Sequence, residues 1–178
     1  MWLALTGTPG TGKTTVADEL RRMGHLVLDL NRIVKEHGFI LGRDRKRDTD
    51  IADLHGVSVF LEKEFGKVKD LVLEGHWAHK LQVDGAVVLR CHPKELRRRL
   101  KARGYKAPKV RENVEAEVVD VILVEAVEGL GERKVAEMDA TKKGARAIAR
   151  AVARVLENGE FKNHKVGCVD WSGVLMRD

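Results

Sequence analysis

Residues Gly7 to Thr14 read Gly-Thr-Pro-Gly-Thr-Gly-Lys-Thr, so that two glycines stand five apart and a lysine and a threonine follow the second. The chemistry this spacing serves is the holding of phosphate. Glycines leave the backbone bare, successive N–H groups close around phosphate oxygens, and a helix starting near Lys13 aims its positive end at the same anion. Lys13 then bridges the outer phosphates, and the Thr14 hydroxyl is a ligand for Mg²⁺. At average usage, about 7% for Gly, the four fixed positions coincide by chance on the order of once in a hundred chains of this length. With the apolar run Trp2–Thr6 ahead and a helical pattern behind, the candidate phosphate contacts are Gly10, Thr11, Gly12, Lys13, Thr14 and Thr15.

A magnesium-phosphate site needs a further carboxylate, normally at the end of a neighbouring apolar strand and facing the metal through water. Glu74, closing Leu71-Val72-Leu73, is the first candidate; Asp29, closing Leu26-Val27-Leu28, is the second, with helix capping as its alternative role. Moving a phosphoryl group is chiefly positioning and charge neutralisation, so arginines must converge on it. Arg97, Arg98, Arg99, Lys101, Arg103, Lys106, Lys109 and Arg111 form a run with no acidic residue between them. Most of such a run is a solvated face. Arg99 and Arg103, four apart and so on one side of a helix, are the pair expected to meet nucleotide. His76 and His79 flank Trp77 just past Glu74. His76 is placed to orient a water or a phosphate; His79 reads as an exposed loop residue, and with no further ligand nearby the two are not a zinc site.

Positioning these groups falls to an alternation of short apolar runs and longer helical patterns. The runs 2–6, 26–30, 70–75, 86–91 and 134–140 read as buried parallel strands. Helices are expected over Lys13–Met23, Asp29–His37, about Thr49–Phe65, Pro93–Arg103, about Val110–Glu128 and Ala145–Glu157, with Pro93 suited to a first turn. The order implies an α/β fold with right-handed crossovers, helices on both faces of a parallel sheet, and ligands beyond the carboxyl ends of the strands. Two segments break the rhythm, Gly38–Asp48 and Arg103–Pro108, and read as flaps. The stretch after the last helix carries Trp171 and reads as an edge strand, a cover for an apolar patch, or a partner-binding tail.

The chain of 178 residues is the size of one domain, 1–178. Its 43% apolar and 34% charged content fits a globular protein rather than a disordered or membrane-spanning one, and no apolar run approaches the roughly 20 residues a span needs. Cys91 and Cys168 are isolated and without metal spacing, so reduced thiols and a cytoplasmic setting are expected. The formal charge of +6 favours anionic partners, either phosphorylated small molecules or nucleic acid.

Beyond these readings, the chain resembles the adenylate kinase isoenzyme 6 family, also called the coilin-interacting nuclear ATPase, which has single-domain archaeal members. The resemblance runs from about Leu3 to Thr141 and is carried by TGTPGTGKTT, DLNR, LEGHWAH, VVLRCHPKELRRRLKARGY and KVRENVEAEVVDVILVEA. It implies a three-layer P-loop nucleoside monophosphate kinase fold, with a five-stranded parallel sheet in the order 2-3-1-4-5, an AMP-side insert at about 31–66, a short lid at about 103–110 and a tail at about 159–178. It also implies transfer of the γ-phosphoryl of MgATP to AMP, ATP hydrolysis, and a role in small ribosomal subunit maturation with a ribosomal protein and ribosomal RNA as partners. By the same resemblance Asp29 and Arg32 lie on the AMP side, Arg99 stacks near the adenine, Arg103 reaches the phosphates, and Asp139 to Thr141 form part of the adenine loop. Glu74 and His76 match an acidic-x-His element in which Glu74 is one methylene longer than the usual Asp. Catalytic roles thus fall to Lys13, Glu74, His76 and Arg103.

Two alternatives accompany the monophosphate kinase reading. One is an ATP-driven assembly factor in which kinase activity is secondary, motivated by the basic 97–111 segment and the Trp171 tail. The other is a kinase of a small metabolite such as shikimate or gluconate, whose hydroxyl acceptor would need a base, for which Asp29 is available.

Overall fold

The computed structural model describes residues 1–44 and 49–177. Its central sheet is built from β1 (Trp2–Thr6), β2 (Val27–Asp29), β5 (Leu71–Glu74), β6 (Gly85–Arg90) and β7 (Val135–Asp139), all parallel, in the order β2-β5-β1-β6-β7. The five expected apolar runs supply these five strands. β1 occupies the middle, with Leu5 opposite Glu74 on one side and Val87 on the other. The glycine loop therefore leaves the sheet at its most buried point.

Side chains alternate faces along a strand, and the core divides accordingly. Leu3 and Leu5 of β1 and Val87 and Leu89 of β6 pack beneath α1 (Lys13–Arg22) and α7 (Ala145–Asn158) through Val16, Leu20, Ile148, Val152 and Val155. Ala4, Leu73 and Val88 face the opposite layer, made by α2 (Leu30–His37), α3 (Leu54–Phe65) and α6 (Val121–Leu130). A third, smaller cluster joins Leu96 and Leu100 of α4 (Pro93–Ala102) to Val110 and Val114 of α5 (Ala107–Val118), with Cys91 between them. That cluster joins the basic helix α4, whose Arg99 reaches the phosphate loop, to α5.

Two expectations need correction. The helix anticipated from Thr49 begins only at Leu54, because Asp53 caps it by accepting from the Gly56 amide at 2.9 Å. Residues Thr49–Ala52 are instead β4, antiparallel to β3 (Ile40–Asp44), so much of the first supposed flap is a hairpin; residues 45–48 of that segment lie outside the described residues. The single helix anticipated over 110–128 is two helices. Asp120 stands between them in the left-handed region at φ 58°, alone among the described non-glycine residues, and its carboxylate meets the Arg90 guanidinium. That contact offsets the roughly 1–2 kcal/mol cost of the conformation.

Of the three readings of the tail, the edge strand is not realised, since the tail adds no strand to the sheet among the described residues. It lies across the β7 edge: the Glu137 amide donates to the His164 carbonyl at 2.9 Å, and the amides of Cys168 and Val169 donate to the Glu137 carboxylate at 3.0 and 3.3 Å. Trp171 packs edge-on against His92, ring centroids 4.9 Å apart.

Candidate active site

Between β1 and α1 the backbone turns through three glycines with positive φ, Gly7, Gly10 and Gly12. At Gly7 (φ 136°) a Cβ would stand 2.4 Å from the Leu89 carbonyl oxygen, so the loop's close approach to β6 demands glycine there. Gly12, at φ 108°, is the N-cap of α1 and offers no side chain to the helix's first amides, which stay available to an anion. The Thr8 carbonyl accepts from the Thr11 amide (3.2 Å), the Thr11 hydroxyl (2.9 Å) and the Lys13 ammonium (3.1 Å). Lys13 also donates to the Gly7 carbonyl at 2.7 Å. Its ammonium is thus folded back into the loop, and burial holds it down to about 8, with Glu74 and Glu117 opposing and Arg103 adding to the fall. Phosphate oxygens would restore the charge that burial disfavours.

Beside the loop, Glu74 ends β5 almost wholly buried, and Thr14 Oγ1 lies 3.5 Å from its Oε1. Asp29 is its register partner at the end of β2. Burial pushes the Glu74 carboxyl above its ordinary range, Lys13 pulls it back, and Asp29 adds to the rise. No group of three or more His, Cys, Asp or Glu able to hold a metal occurs among the described residues. A hydroxyl and one carboxylate, all hard oxygen donors, instead fit Mg²⁺, which keeps several waters and takes its remaining ligands from phosphate.

Arg99 is the most connected cation of the site. Its guanidinium donates to Glu95 Oε1 (2.8 Å), the Thr11 carbonyl (3.3 Å), and the carbonyls of Ala140 (3.2 Å) and Thr141 (2.9 Å). One side chain therefore ties α4, the phosphate loop and the turn after β7 together. Arg103, one turn on, is exposed and lines the same cleft of about 240 Å³, along with Thr15, Val16, Ala140 and Ile148. The carboxylate of Asp139 accepts from the Thr141 amide at 2.8 Å and from the Thr141 hydroxyl, which itself accepts from the His92 amide at 2.8 Å. These two side chains shape the turn, and it is Ala140 that reaches the cleft.

His76, two residues past Glu74, keeps water-accessible surface. Crowding by the surrounding protein and then the Lys13 charge hold its imidazole down to about 4, so it is neutral at pH 7. His79, expected to be exposed, is buried: Nδ1 meets the Thr6 hydroxyl at 3.2 Å and Nε2 meets Glu125 at 3.1 Å. It braces β1 against α6. On the far side, Asp29 caps α2 by accepting from the Arg32 amide at 3.1 Å, and among the described residues the exposed Arg32 guanidinium pairs loosely with Glu36 at 3.8 Å. Capping and a place beside Glu74 are both realised at Asp29.

Sequence reasoning missed a buried polar cluster behind the loop. Arg90, 1% exposed, donates through Nε to Glu117 Oε1 (2.9 Å) and through Nη1 to Glu137 Oε1 (2.5 Å), and Nη2 reaches the Glu117 carbonyl and Asp120. A signal existed. Glu117 falls on the apolar stripe of α5 with Val110, Asn113, Val114 and Val118, and a lone carboxylate there demands a buried partner.

With this geometry in view, the fold and site define the chain's class. The family described as an AAA domain matches residues 3–120, and the chain belongs to it. A shikimate kinase from Acinetobacter baumannii is 21% identical, with a TM-score of 0.54 over 89% of this chain and 94% of that one; a gluconokinase from Sinorhizobium meliloti is 17% identical, with a TM-score of 0.52 over 91% and 97%. At such identities the likeness is one of fold, and that fold is the P-loop kinase fold. More particularly, the chain belongs to the family of archaeal proteins named "putative adenylate kinase". It is 44% identical to the one from Natronomonas pharaonis (97% of this chain, 98% of the other), 41% to that of Methanosarcina barkeri (96% and 97%) and 38% to that of Methanocaldococcus jannaschii (97% and 93%).

Proposed function

We propose that this chain is a nucleoside monophosphate kinase that moves the γ-phosphoryl group of MgATP to AMP. The observation that carries the reading is the meeting of Thr14, Glu74, Arg99 and Arg103 around one phosphate loop, the first two suited to Mg²⁺ and the last two lining the adjoining cleft. The names of the archaeal relatives support the choice of acceptor. In this reading Lys13 and the loop amides hold the β- and γ-phosphates, Gly10 to Thr15 cradle the chain of phosphates, and Ala140 and Arg99 border the adenine. Asp139 and Thr141 hold that border in shape. Thr14, with Glu74 acting through water, would hold Mg²⁺, which when bound would supply charge neutralisation at the phosphates. Arg103 meets the transferring group from the base of the lid, and Arg32, on the far side of Glu74, clamps the acceptor phosphate. The acceptor is already an anion, so no strong base is required. Coupled assays of MgATP with AMP, dAMP, CMP, GMP and UMP test the proposal; transfer to none of them would sink it.

Hydrolysis of ATP is the second activity, supported by His76, a neutral and water-accessible imidazole two residues past Glu74. Hydrolysis that survives His76→Ala unchanged would remove that support. The isoenzyme 6 motifs and the basic 97–111 segment point the hydrolytic activity toward small-subunit maturation. Binding of small-subunit RNA and its proteins, with and without nucleotide, is the corresponding measurement.

A further inference from the structure

Glu117 has no place in the phosphate-transfer chemistry, yet it is almost fully buried, and every contact it makes is with a donor. Oε1 accepts from Arg90 Nε and from the Cys91 amide, each at 2.9 Å, and Oε2 accepts from the Thr8 hydroxyl at 2.5 Å. Burial pushes its carboxyl upward, while Arg90, Thr8 and the Cys91 amide pull it back. Three donors converging on an acceptor-only group describe a carboxylate fixed in position by Arg90 and β6 rather than one free to turn.

What it fixes is Thr8. The carbonyl of that residue takes the Thr11 amide, the Thr11 hydroxyl and the Lys13 ammonium, so the place of Thr8 decides the turn of the loop and the resting place of Lys13. The hydroxyl of Thr8 points the other way, into the Glu117 carboxylate across 109 positions of sequence. We infer that Glu117 is a positioning residue for the phosphate loop: acting through Thr8, it holds the loop and Lys13 ready for an anion, and it couples them to α5, the helix that follows the lid turn. The inference rests on the phosphate-loop reading above but not on which molecule accepts the phosphoryl group.

Thr8→Val keeps the shape and removes the hydroxyl; Thr8→Ser restores it. Two measurements are made on wild type, Thr8→Val, Thr8→Ser, Glu117→Gln and the Thr8→Val/Glu117→Gln double variant. One is the Kd of MgADP, and the other is hydrogen exchange of amides 8–14 in nucleotide-free protein, which needs no activity at all. A hydrogen bond to a charged acceptor supports an expected rise in Kd of about tenfold for Thr8→Val, with recovery to within about twofold in Thr8→Ser. Loop amides exchange faster in Thr8→Val and Glu117→Gln, and the double variant is no worse than the more impaired single one. Unchanged loop exchange in Thr8→Val, a lowered Tm with unchanged Kd, or additive effects in the double variant would each overturn the inference. If wild type bound no MgADP, the phosphate-transfer reading would fail while the exchange comparison still decided this one.

Discussion

Oγ1 of Thr14 lies 3.5 Å from Oε1 of Glu74, an exposed hydroxyl on the first turn of α1 beside a buried carboxylate at the end of β5. The gap is slightly long for a hydrogen bond and well suited to two groups that share a cation and its waters. Glu74→Gln keeps the size and hydrogen-bonding reach of the side chain but removes its charge. Turnover is expected to fall about a hundredfold, the scale of losing one preorganised electrostatic group, with a higher Mg²⁺ requirement. Glu74→Asp, one methylene shorter, should retain more of the rate than Glu74→Gln. A Mg²⁺ titration of initial rates checks both.

Burial of the Lys13 ammonium comes at the expense of stability. Its folded value of about 8 lies below the ordinary 10.5. Below pH 8 the ammonium is charged in both states, and its burial costs the native state about 3 kcal/mol. Between pH 8 and pH 10.5 the unfolded chain holds more protons than the folded one, so stability rises with pH across that window and then levels. Lys13→Met removes the cost but also two hydrogen bonds to loop carbonyls worth about 1 kcal/mol each. The variant should therefore melt only about 3 °C higher at pH 7, lose phosphoryl transfer, and lack the rise above pH 8. Denaturation at several pH values measures it; a variant that keeps the wild-type slope would show that Lys13 is not its source.

Arg90 is expected to be the most costly single truncation. Arg90→Ala leaves the buried Glu117 and Glu137 without the cation they share, a loss of about 3–5 kcal/mol. Arg90→Lys recovers only part of this, since a point charge cannot reproduce the fork that meets both carboxylates and Asp120. Urea titration of the two variants gives the difference directly. Equal stability of Arg90→Lys and wild type would contradict it.

Arg32→Ala separates the two substrate sides. The cap of α2 uses the Arg32 backbone amide, not its guanidinium, so the helix stays capped in the variant. The KM for AMP should rise about tenfold, as for a lost charge-assisted contact, while the KM for ATP stays put. An equal rise in both would remove Arg32 from the acceptor side.

Much of this was legible from residues alone. The apolar runs located the five strands, and the glycine run ahead of Lys13 and Thr14 located the turn between β1 and α1 around which Glu74, Arg99 and Arg103 gather, because both signals are local. Asp53 shows what a local reading can overlook: its cap four residues past Thr49 separates β4 from α3. The cluster around Arg90 was hidden for a different reason. Its members come from β6, α5, β7 and the tail, and only tertiary packing brings them together. The same holds for His79, whose burial depends on Thr6 and Glu125 from two other elements. Asp120 broke an otherwise continuous helical pattern because a distant guanidinium called for it.

The tail's grip on Glu137 also bears on the order in which the protein can be made. The loop at residues 7–14 leaves the ribosome first, but the Glu117 carboxylate that holds Thr8 follows 109 residues later. Glu137 completes its own set of contacts only when the amides of Cys168 and Val169 have been synthesised. These contacts are therefore complete only once translation has passed Val169, and a nascent chain stalled before α5 would carry the glycine loop without the Thr8–Glu117 bond.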